Sequence, residues 1–509
     1  MEQLGSILQF LENRSILVTG ATGFLAKIFI EKILRVQPNV RKLYLLLRAP
    51  DAKTAMLRFN TEVMAKDLFR VLKEKYGGNL SSLISEKVKV VAGDITCENL
   101  GVKDTVLLEE MWKEVDVVVN LAANTNFDER YDVSLAINTL GARHVLNFSK
   151  RCDKLKVHVH VSTAYVSGEK EGLILETPYK MRETLNGTSG LDIDAEKKLA
   201  DDTLKQLKAE NCSEEFIKSA MKDLGIQRAR KFGWPNTYVF SKAMGEMLMG
   251  HLKENIPLVI IRPTIVTSTY KEPFPGWAEG VRKNYMFSWQ PKTVIDAIPA
   301  DMVVNAMIVA MVAHANQPNE TIYHVGSSVS NPLELASVRD YGQRYFTKHP
   351  WINKEGRPVI VGEVKMLNTM DSFKRYLAIR YLLPLKGLQI VNTACCQYFE
   401  SLYVELRRKI KFVMRLVELY GPYLFFKGYY DDMNTEILRR AAEESGVETD
   451  IFYFDPKVIN WADYFMNIHL PGAVNYFIYY KADVTSEDHQ MLLHSKWINS
   501  SVVFNAMFG

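Results

Sequence analysis

The stretch Ile16-Leu-Val-Thr-Gly-Ala-Thr-Gly-Phe-Leu-Ala-Lys27, "ILVTGATGFLAK", joins a short apolar run to a helical pattern through a glycine-containing turn. Gly20, Gly23 and Ala26 are spaced three apart, as in a dinucleotide-binding turn between a strand and a helix. Small residues at these positions let the backbone approach a pyrophosphate, and the helix N-terminus offers N–H donors. The stretch therefore predicts an α/β fold that binds a nucleotide.

The alternation of strand and helix continues through the first two thirds of the chain. Near-continuous apolar runs are separated by amphipathic helical patterns, which is typical of a doubly wound parallel sheet covered on both faces. We therefore predict an α/β Rossmann domain over residues 1–364. The predicted strands of this sheet are 15–20, 42–48, 88–94, 115–123, 156–163, 256–263 and 321–327.

Three other segments have a different character. Residues 168–234 are charged and helical in period without a strand pattern, so we predict a helical insertion there. Beyond residue 365 only helical periodicity is found, which predicts a mainly α-helical C-terminal domain over 365–472 with no further strands. Residues 473–509 combine an aromatic run with unpatterned polar sequence, and we predict a poorly ordered tail.

Composition excludes several classes of function. A net charge of +4 over 509 residues does not indicate a nucleic-acid-binding protein. The five cysteines are scattered without metal-ligand spacing, so we predict reduced thiols and no metal site. The N-terminus shows neither a signal peptide nor a transit peptide pattern.

Two apolar segments are candidates for contact with a membrane. The apolar part of residues 302–319 ends after about 13 residues, too short for a bilayer span, so we predict a buried helix. Residues 376–399 are interrupted by Arg380, Pro384 and Lys386. They predict a packed helix hairpin, with a location on a membrane surface as the alternative.

The end of the second predicted strand selects the cofactor. Arg48 stands there, where an arginine accommodates the 2′-phosphate of NADPH, while nearby Asp51 keeps NADH open as an alternative. Asp94 ends the third strand, within expected reach of the adenine. The predicted nucleotide contacts at the first four strand ends are Thr19, Gly20, Thr22, Gly23, Phe24, Leu25, Arg48, Asp94, Ile95, Asn120 and Ala122.

Tyr238 and Lys242 in "PNTYVFSK" are the predicted catalytic pair. Four residues apart on a helix, they share one face, and a lysine one turn from a tyrosine makes the phenol a stronger acid. Only this pair lies between a nucleotide-binding fold and a further core strand. The same Tyr-x-x-x-Lys spacing recurs at Tyr423/Lys427 and Tyr453/Lys457.

Hydroxyl side chains end the fifth predicted strand in "VHVSTAYVSG". Thr163 or Ser162 there would face the cleft and could hydrogen-bond a substrate carbonyl. Together with the tyrosine and the lysine, this strand end would place a hydrogen-bond donor and an acid at the nicotinamide end of the cleft.

These residues resemble the extended short-chain dehydrogenase/reductase superfamily, and within it the alcohol-forming fatty acyl-CoA reductases of plants. The resemblance runs through about residues 8–470, and the 75 residues from Thr163 to Tyr238 match the long insertion of that branch. The strings that carry it are "ILVTGATGFLAKIFIEKILR", "KLYLLLRAPD", "NFDERYDVSLAINTLGA", "HVSTAYVSGE", "GWPNTYVFSKAMGEMLMG", "IIRPTIVTSTYKEPFPGW", "IPADMVVNAM", "YHVGSS" and "YYDDMNTE".

The resemblance implies reduction of a long-chain fatty acyl-CoA to a primary alcohol with two NADPH. It implies that Tyr238 protonates or stabilises the oxyanion, that Thr163 helps to hold it, and that Lys242 binds the nicotinamide ribose. Pro263 and Thr264 would meet the nicotinamide amide. A peripheral attachment to the cytosolic face of the endoplasmic reticulum is expected for so apolar a substrate.

Two alternatives stay open at this point. One is another extended-family oxidoreductase, such as an epimerase, a dehydratase or a hydroxysteroid dehydrogenase. The other is a catalytically impaired NADPH-binding homologue, because the segment 283–294 is shorter than the related reductases carry.

Overall fold

A computed structural model describes residues 4–279, 293–352, 357–359, 370–446 and 448–479 of the chain. Its strands are β1 (Ser15–Thr19), β2 (Lys42–Arg48), β3 (Val88–Gly93), β4 (Val117–Asn120), β5 (Val157–Val161), β6 (Gly172–Ile174), β7 (Leu258–Pro263), β8 (Ile265–Thr267), β9 (Val294–Ile295), β10 (Ala297–Pro299), β11 (Glu320–Val325), β12 (Leu333–Glu334), β13 (Trp351–Ile352), β14 (Pro358–Val359) and β15 (Gly428–Tyr430).

The α-helices are α1 (Ile7–Leu11), α2 (Phe24–Val36), α3 (Ala52–Arg58), α4 (Arg70–Tyr76), α5 (Leu80–Lys87), α6 (Thr105–Glu114), α7 (Tyr131–Ser134), α8 (Gly141–Ser149), α9 (Ile193–Ala209), α10 (Glu214–Lys231), α11 (Thr237–Leu252), α12 (Ala300–Ala313), α13 (Leu335–Lys348), α14 (Met370–Leu377), α15 (Leu383–Ala394), α16 (Glu400–Leu424), α17 (Met433–Glu444), α18 (Trp461–Asp463) and α19 (Leu470–Ala473). Wider π-helical turns occur at Phe59–Met64, Leu135–Leu140, Ala378–Leu382, Tyr464–His469 and Val474–Tyr479, and 3-10 turns at Asp67–Phe69, Gly77–Asn79, Glu98–Gly101, Ala164–Ser167 and Pro456–Val458.

The central sheet has seven strands in the order β11-β7-β5-β4-β1-β2-β3, and every neighbouring pair is parallel. The predicted doubly wound α/β fold is confirmed, because each of the predicted strands contributes to this sheet. The strand order reverses between β1 and β4. In such sheets, ligands bind outside the carboxyl ends of the strands at this reversal.

The strands of the sheet are apolar because both of their faces are covered. β1, β4, β5 and β7 are buried along their whole length. α8 packs with α11, and α2 packs with α12. α12 is buried along most of its length, as predicted for the apolar segment at 302–319.

Two predictions about strands were wrong. β6 lies inside the insertion that was predicted without strands, and β15 lies beyond residue 365, where strands were predicted to end. The two pair in parallel, with Gly428 opposite Gly172 and Tyr430 opposite Ile174. Three-residue strands paired across about 250 residues leave no local pattern, which explains why sequence periodicity misses them. Otherwise the insertion is helical, as predicted, through α9 and α10.

The chain divides into two compact units. The first comprises residues 1–279, 296–331 and 428–459, and the second comprises residues 280–295, 332–427 and 460–509. This division falls at other points than the boundary predicted at 364/365, so the sequence-derived domain bounds stay predictions. The described part of the predicted tail, up to residue 479, is helical, and the rest of the tail lies outside the described residues.

In the second unit, residues 376–394 of the segment predicted as a helix hairpin instead form one helical stretch, and its last part, α15, forms a hairpin with α16, which begins beyond the segment at Glu400. Large apolar side chains remain exposed on it, including Leu383, Ile390 and Tyr398. None of the described helices is long and apolar enough to cross a membrane. Most of the shortened segment 283–294 lies outside the described residues, up to residue 292.

Candidate active site

The turn after β1 is a cradle that fits a pyrophosphate. Gly20 has a φ of +68°, and a Cβ there would lie 2.7 Å from the backbone N and Cα of Ala122. The N–H of Gly23 donates to the Gly20 carbonyl at 2.8 Å, and Gly23 caps α2. The first N–H groups of a helix have no intrahelical partner, and α2 has no acidic residue in its first turn. This turn can therefore hold an anionic group, as a dinucleotide cofactor requires.

Thr19, Asn120 and Ala122 are brought together beside this turn. Thr19 Oγ1 lies 2.6 Å from Oδ1 of Asn120 and accepts the N–H of Ala122 at 3.3 Å. Thr19 and Asn120 are buried, at 0% and 1% exposure. Their side chains therefore bond within the protein and fix the two strand ends that border the turn.

Arg48 and Asp51, the two residues that bear on cofactor choice, have different surroundings. Arg48 ends β2 on the surface, and among the described residues its guanidinium has no ion-pair partner. The Asp51 carboxylate accepts the N–H of Thr54 at 2.7 Å and caps α3. That bond lowers the pKa of Asp51 below its ordinary value. The arginine is thus available to a ligand, whereas the carboxylate is engaged by its own helix.

Asp94 follows β3, as predicted. Its Oδ1 accepts the N–H and the hydroxyl of Thr96, each at 2.9 Å, and so closes the turn after the strand. The adjacent Ile95 is buried. Oδ1 of Asp94 is thus engaged in stabilising the turn after β3.

The helix α11 carries the predicted catalytic pair. Asn236 caps it by accepting the N–H of Val239 at 3.1 Å. The helix packs closely on the π-helical turn Leu135–Leu140, since a Cβ on Gly245 would collide with the carbonyl oxygen of Asn138. Asn138 also donates to Ser241 Oγ at 3.0 Å. These contacts fix the position and rotation of α11 against that turn.

Tyr238 and Lys242 differ strongly in exposure. Tyr238 is half-buried and stacks on Phe127, with ring centroids 5.4 Å apart. Lys242 is 1% exposed, and its Nζ donates to the carbonyl oxygen of Val161 at 2.7 Å. Burial lowers the pKa of Lys242 to about 8, partly offset by the carboxylate of Glu246. The lysine therefore lies at the carboxyl end of β5, and its ammonium form is only weakly favoured over the neutral amine near neutral pH.

The two hydroxyls after β5 are both buried, and neither donates a hydrogen bond to another described residue. Thr163 Oγ1 accepts the N–H of Tyr165 at 3.3 Å and caps the short turn that follows, which leaves its own proton available. Ser162 Oγ has no hydrogen-bond partner among the described residues. The structure thus leaves both hydroxyls as candidates to bind a carbonyl oxygen.

Pro263 and Thr264 lie at the end of β7, as predicted. The N–H of Thr264 donates to the carbonyl of Val325 at 3.1 Å, which joins β7 to the end of β11. Thr264 is 6% exposed. Both residues stand at the carboxyl edge of the sheet, on the side where β5 and α11 place Tyr238 and Lys242.

Sequence reasoning missed two buried residues beside this pair, His160 and Asn138. Nδ1 of His160 lies 3.0 Å from Nδ2 of Asn120, and its Nε2 lies 3.5 Å from Nζ of Lys242. Asn138 also accepts the N–H of Asn124 at 2.9 Å and so ties the loop after β4 to α11. The available clue to His160 was the pair of histidines inside an otherwise apolar strand, "VHVHV".

Comparison with known proteins identifies the family. An NAD-binding family model described as male sterility protein matches residues 18–315, and a second model of the same description matches residues 380–479. The alcohol-forming fatty acyl-CoA reductase of Simmondsia chinensis is 59% identical over 492 residues, covering 94% of this chain and 100% of that protein. Fatty acyl-CoA reductase 1 of Arabidopsis thaliana is 52% identical over 485 residues, covering 92% of this chain and 98% of that protein.

Solved structures agree on the fold. The terminal R domain from the myxalamid PKS-NRPS biosynthetic pathway superposes with a TM-score of 0.52 at 17% identity, covering 91% of each chain. The reductase domain of a nonribosomal peptide synthetase from Mycobacterium tuberculosis gives 0.50 at 18%, covering 91% of this chain and 92% of that one. The chain therefore belongs to the plant alcohol-forming fatty acyl-CoA reductases, a family of nicotinamide-dependent oxidoreductases with the extended short-chain dehydrogenase/reductase fold.

Proposed function

We propose that this protein reduces long-chain or very-long-chain fatty acyl-CoA to the primary fatty alcohol through an aldehyde, with release of CoA. The observation that carries the proposal is the placement of Tyr238 and Lys242 on α11, beside the strand end with Thr163 and in one fold with the Gly20 turn. The printed names of the relatives from Simmondsia chinensis and Arabidopsis thaliana support the substrate class. We further propose that the alcohol serves wax- or suberin-type lipids.

The side chains have distinct roles in this proposal. NADPH supplies the hydride in each of the two reductions. Tyr238 donates a proton to the carbonyl oxygen as negative charge develops on it, and Thr163 donates a hydrogen bond to the same oxygen. The ammonium of Lys242 favours the tyrosinate that results and so strengthens Tyr238 as an acid. In total, acyl-CoA, two NADPH and two protons give the alcohol, CoA and two NADP⁺.

We propose NADPH rather than NADH. The support is the contrast between Arg48, exposed at the end of β2 without an ion pair among the described residues, and Asp51, whose carboxylate caps α3. Arginine binds a 2′-phosphate through charge-assisted hydrogen bonds, which a bare ribose hydroxyl cannot match.

We propose that the protein works at the cytosolic face of the endoplasmic reticulum, or in the cytoplasm in contact with a membrane surface. The exposed apolar side chains of the hairpin α15/α16 support a peripheral contact. A substrate with a long acyl chain would also partition into a membrane.

The decisive experiment supplies the purified protein with NADPH and acyl-CoAs of graded length and identifies the lipid products. We expect primary alcohol, with aldehyde as an intermediate that can be trapped. Tyr238→Phe should lower the rate by about 10²- to 10⁴-fold, the usual contribution of general acid catalysis, while NADPH binding is retained. Tyr423→Phe is the matched control, because it changes the tyrosine of another Tyr-x-x-x-Lys sequence outside the site, and it should leave the rate unchanged.

The alternatives predict other outcomes. A catalytically impaired homologue would bind NADPH and form neither alcohol nor aldehyde from any acyl-CoA. Another extended-family oxidoreductase would consume NADPH with a different carbonyl substrate. Loss of NADPH binding in Tyr238→Phe would assign the tyrosine a structural role.

A further inference from the structure

A row of buried polar side chains crosses three neighbouring strands at one level. Thr19 of β1 lies opposite Asn120 of β4, and Asn120 lies opposite His160 of β5. All three are at most 1% exposed. Beyond His160 the row reaches Nζ of Lys242 at 3.5 Å. The turn that cradles a pyrophosphate is thus connected to the catalytic lysine through side chains inside the sheet.

The protonation of this row follows from donor and acceptor counting. An ammonium group carries three donors and no acceptor. Among the described residues, the hydrogen-bond partners of Lys242 Nζ are the Val161 carbonyl at 2.7 Å and His160 Nε2. Burial and the positive charge of Lys242 lower the pKa of His160 well below its ordinary value, so the ring is neutral. Because an ammonium can only donate, Nε2 must accept a hydrogen bond from it. The single proton of the neutral ring must then be on Nδ1.

A proton on Nδ1 determines the orientation of Asn120. Nδ1 lies 3.0 Å from the Asn120 amide and must donate to the amide oxygen. A half-turn of the amide exchanges its oxygen and nitrogen in place, and then the amide nitrogen faces Thr19 Oγ1. The amide of Asn120 then bonds both His160 Nδ1 and Thr19 Oγ1. The charge of Lys242 is thereby coupled to the orientation of an amide on β4, the strand next to β5.

His158 shows what a purely structural histidine looks like in the same strand. It lies two residues before His160 and therefore on the same face of β5, and it is 0% exposed. Its Nδ1 is 2.7 Å from Ser149 Oγ, and its Nε2 has no hydrogen-bond partner among the described residues. The ring of His160 differs because one nitrogen faces the Lys242 ammonium.

The carboxylate nearest to Lys242 along the helix is already engaged. Glu246 lies one turn further along α11 and forms a buried ion pair with Arg262, with Oε2 2.6 Å from Nη2 of the arginine. Among the described residues, the acceptors that face the lysine are therefore the Val161 carbonyl and His160 Nε2, both on β5.

We propose that His160 is a positioning residue for Lys242: as a neutral imidazole it accepts a hydrogen bond from the ammonium, holds it against the end of β5, and favours its charged form. The third N–H of the ammonium then remains for a cofactor ribose. This inference rests on the proposed function only in taking Lys242 as the catalytic lysine.

Four variants test this role. His160→Phe keeps a planar ring but removes the acceptor, and we expect kcat to fall by about 10- to 100-fold, the range for a lost hydrogen bond to a charged group. His160→Gln places an oxygen near the position of Nε2 and should restore most of the rate, whereas His160→Asn is too short and should not. His158→Phe is the matched control and should behave as the wild type in kcat. The KM for acyl-CoA should stay unchanged in all four.

A pH profile adds a measurement that a structural role would not change. Without the acceptor the ammonium is less favoured, so its pKa falls further and the loss of activity at high pH should begin about one pH unit lower in His160→Phe. The neighbouring titratable or charged groups are intact in every His160 variant, so the difference between wild type and variant isolates His160. The groups that act on the His160 ring are Lys242 and His158, and Glu246 acts on Lys242 from the same helix, where it is paired with Arg262.

NADPH titrations at each pH separate this inference from the proposed function. If the wild type binds NADPH but forms no alcohol, the proposed function fails, and the shift in the pH dependence of NADPH affinity still tests His160. Two outcomes would overturn the inference: a pH dependence in His160→Phe equal to that of His158→Phe, or equal damage in His160→Gln and His160→Asn. The Gln/Asn comparison still decides the question if the Phe variant does not fold.

Discussion

Replacing Gly20 by alanine should damage both stability and nucleotide binding. Gly20 has a φ of +68°, where an L-residue costs roughly 1–2 kcal/mol. Its new Cβ would also lie 2.7 Å from two backbone atoms of Ala122 and 2.9 Å from the carbonyl carbon of Leu121. Backbone cannot rotate away as a side chain does, so overpacking adds roughly 1–3 kcal/mol. The total expected loss is about 2–5 kcal/mol.

Gly187→Ala provides the matched control. Gly187 has a φ of +73°, but nothing lies within 4 Å of its missing Cβ, so only the conformational cost applies. Urea unfolding followed by tryptophan fluorescence should therefore rank the midpoints as wild type, then Gly187→Ala, then Gly20→Ala.

NADPH binding should separate the two variants more sharply. Gly20→Ala displaces the turn that borders the pyrophosphate, and we expect its NADPH affinity to fall at least about tenfold, equivalent to about 1.4 kcal/mol. Gly187→Ala should bind NADPH as the wild type does. Equal unfolding midpoints for the two variants, together with normal NADPH affinity in Gly20→Ala, would refute the close approach of the two strand ends.

Three further predictions concern charge. Arg48→Ala should weaken NADPH binding by about 10- to 100-fold, because a charge-assisted hydrogen bond is lost. NADH binding should stay unchanged in parallel fluorescence titrations. Equal loss of affinity for both cofactors would contradict the role of Arg48. Since burial lowers the pKa of Lys242 to about 8, its ammonium form is present below that pH and lost above it. The value of kcat/KM measured from pH 6 to 10 should therefore decline above about pH 8. A flat profile would count against a charged Lys242. Glu246→Gln leaves the buried Arg262 without its counter-ion and should lower the free energy of unfolding by about 3–5 kcal/mol. The control Glu254→Gln, on the surface, should lower it by at most about 1 kcal/mol. Similar urea midpoints for these two variants would show that the buried ion pair is not a major source of stability.

The fold was predictable because its information is local. Each strand of the central sheet is a short apolar run, and a strand covered on both faces needs no other pattern. The turn at Gly20 was equally readable, since the small residues that a close backbone approach demands stand at fixed intervals.

The pairing of β6 with β15 was not predictable in the same way. Gly172 and Gly428 are opposite each other in that ladder, but the two strands have only three residues each and lie about 250 residues apart. Nothing in either stretch reveals its partner, because the pairing depends on where the rest of the first unit brings the two segments.

The sequence by itself determined the class of the protein: the apolar strand periodicity, the small residues of the turn and the Tyr238/Lys242 spacing are each set by neighbours along the chain. Only the tertiary structure decided what surrounds that pair. His160 became part of the site, beside the predicted Asn120, because parallel strands align their ends in register, so that residues far apart in sequence share one level of the sheet. Buried polar side chains must find partners at that level, and such partners are defined by distance in space.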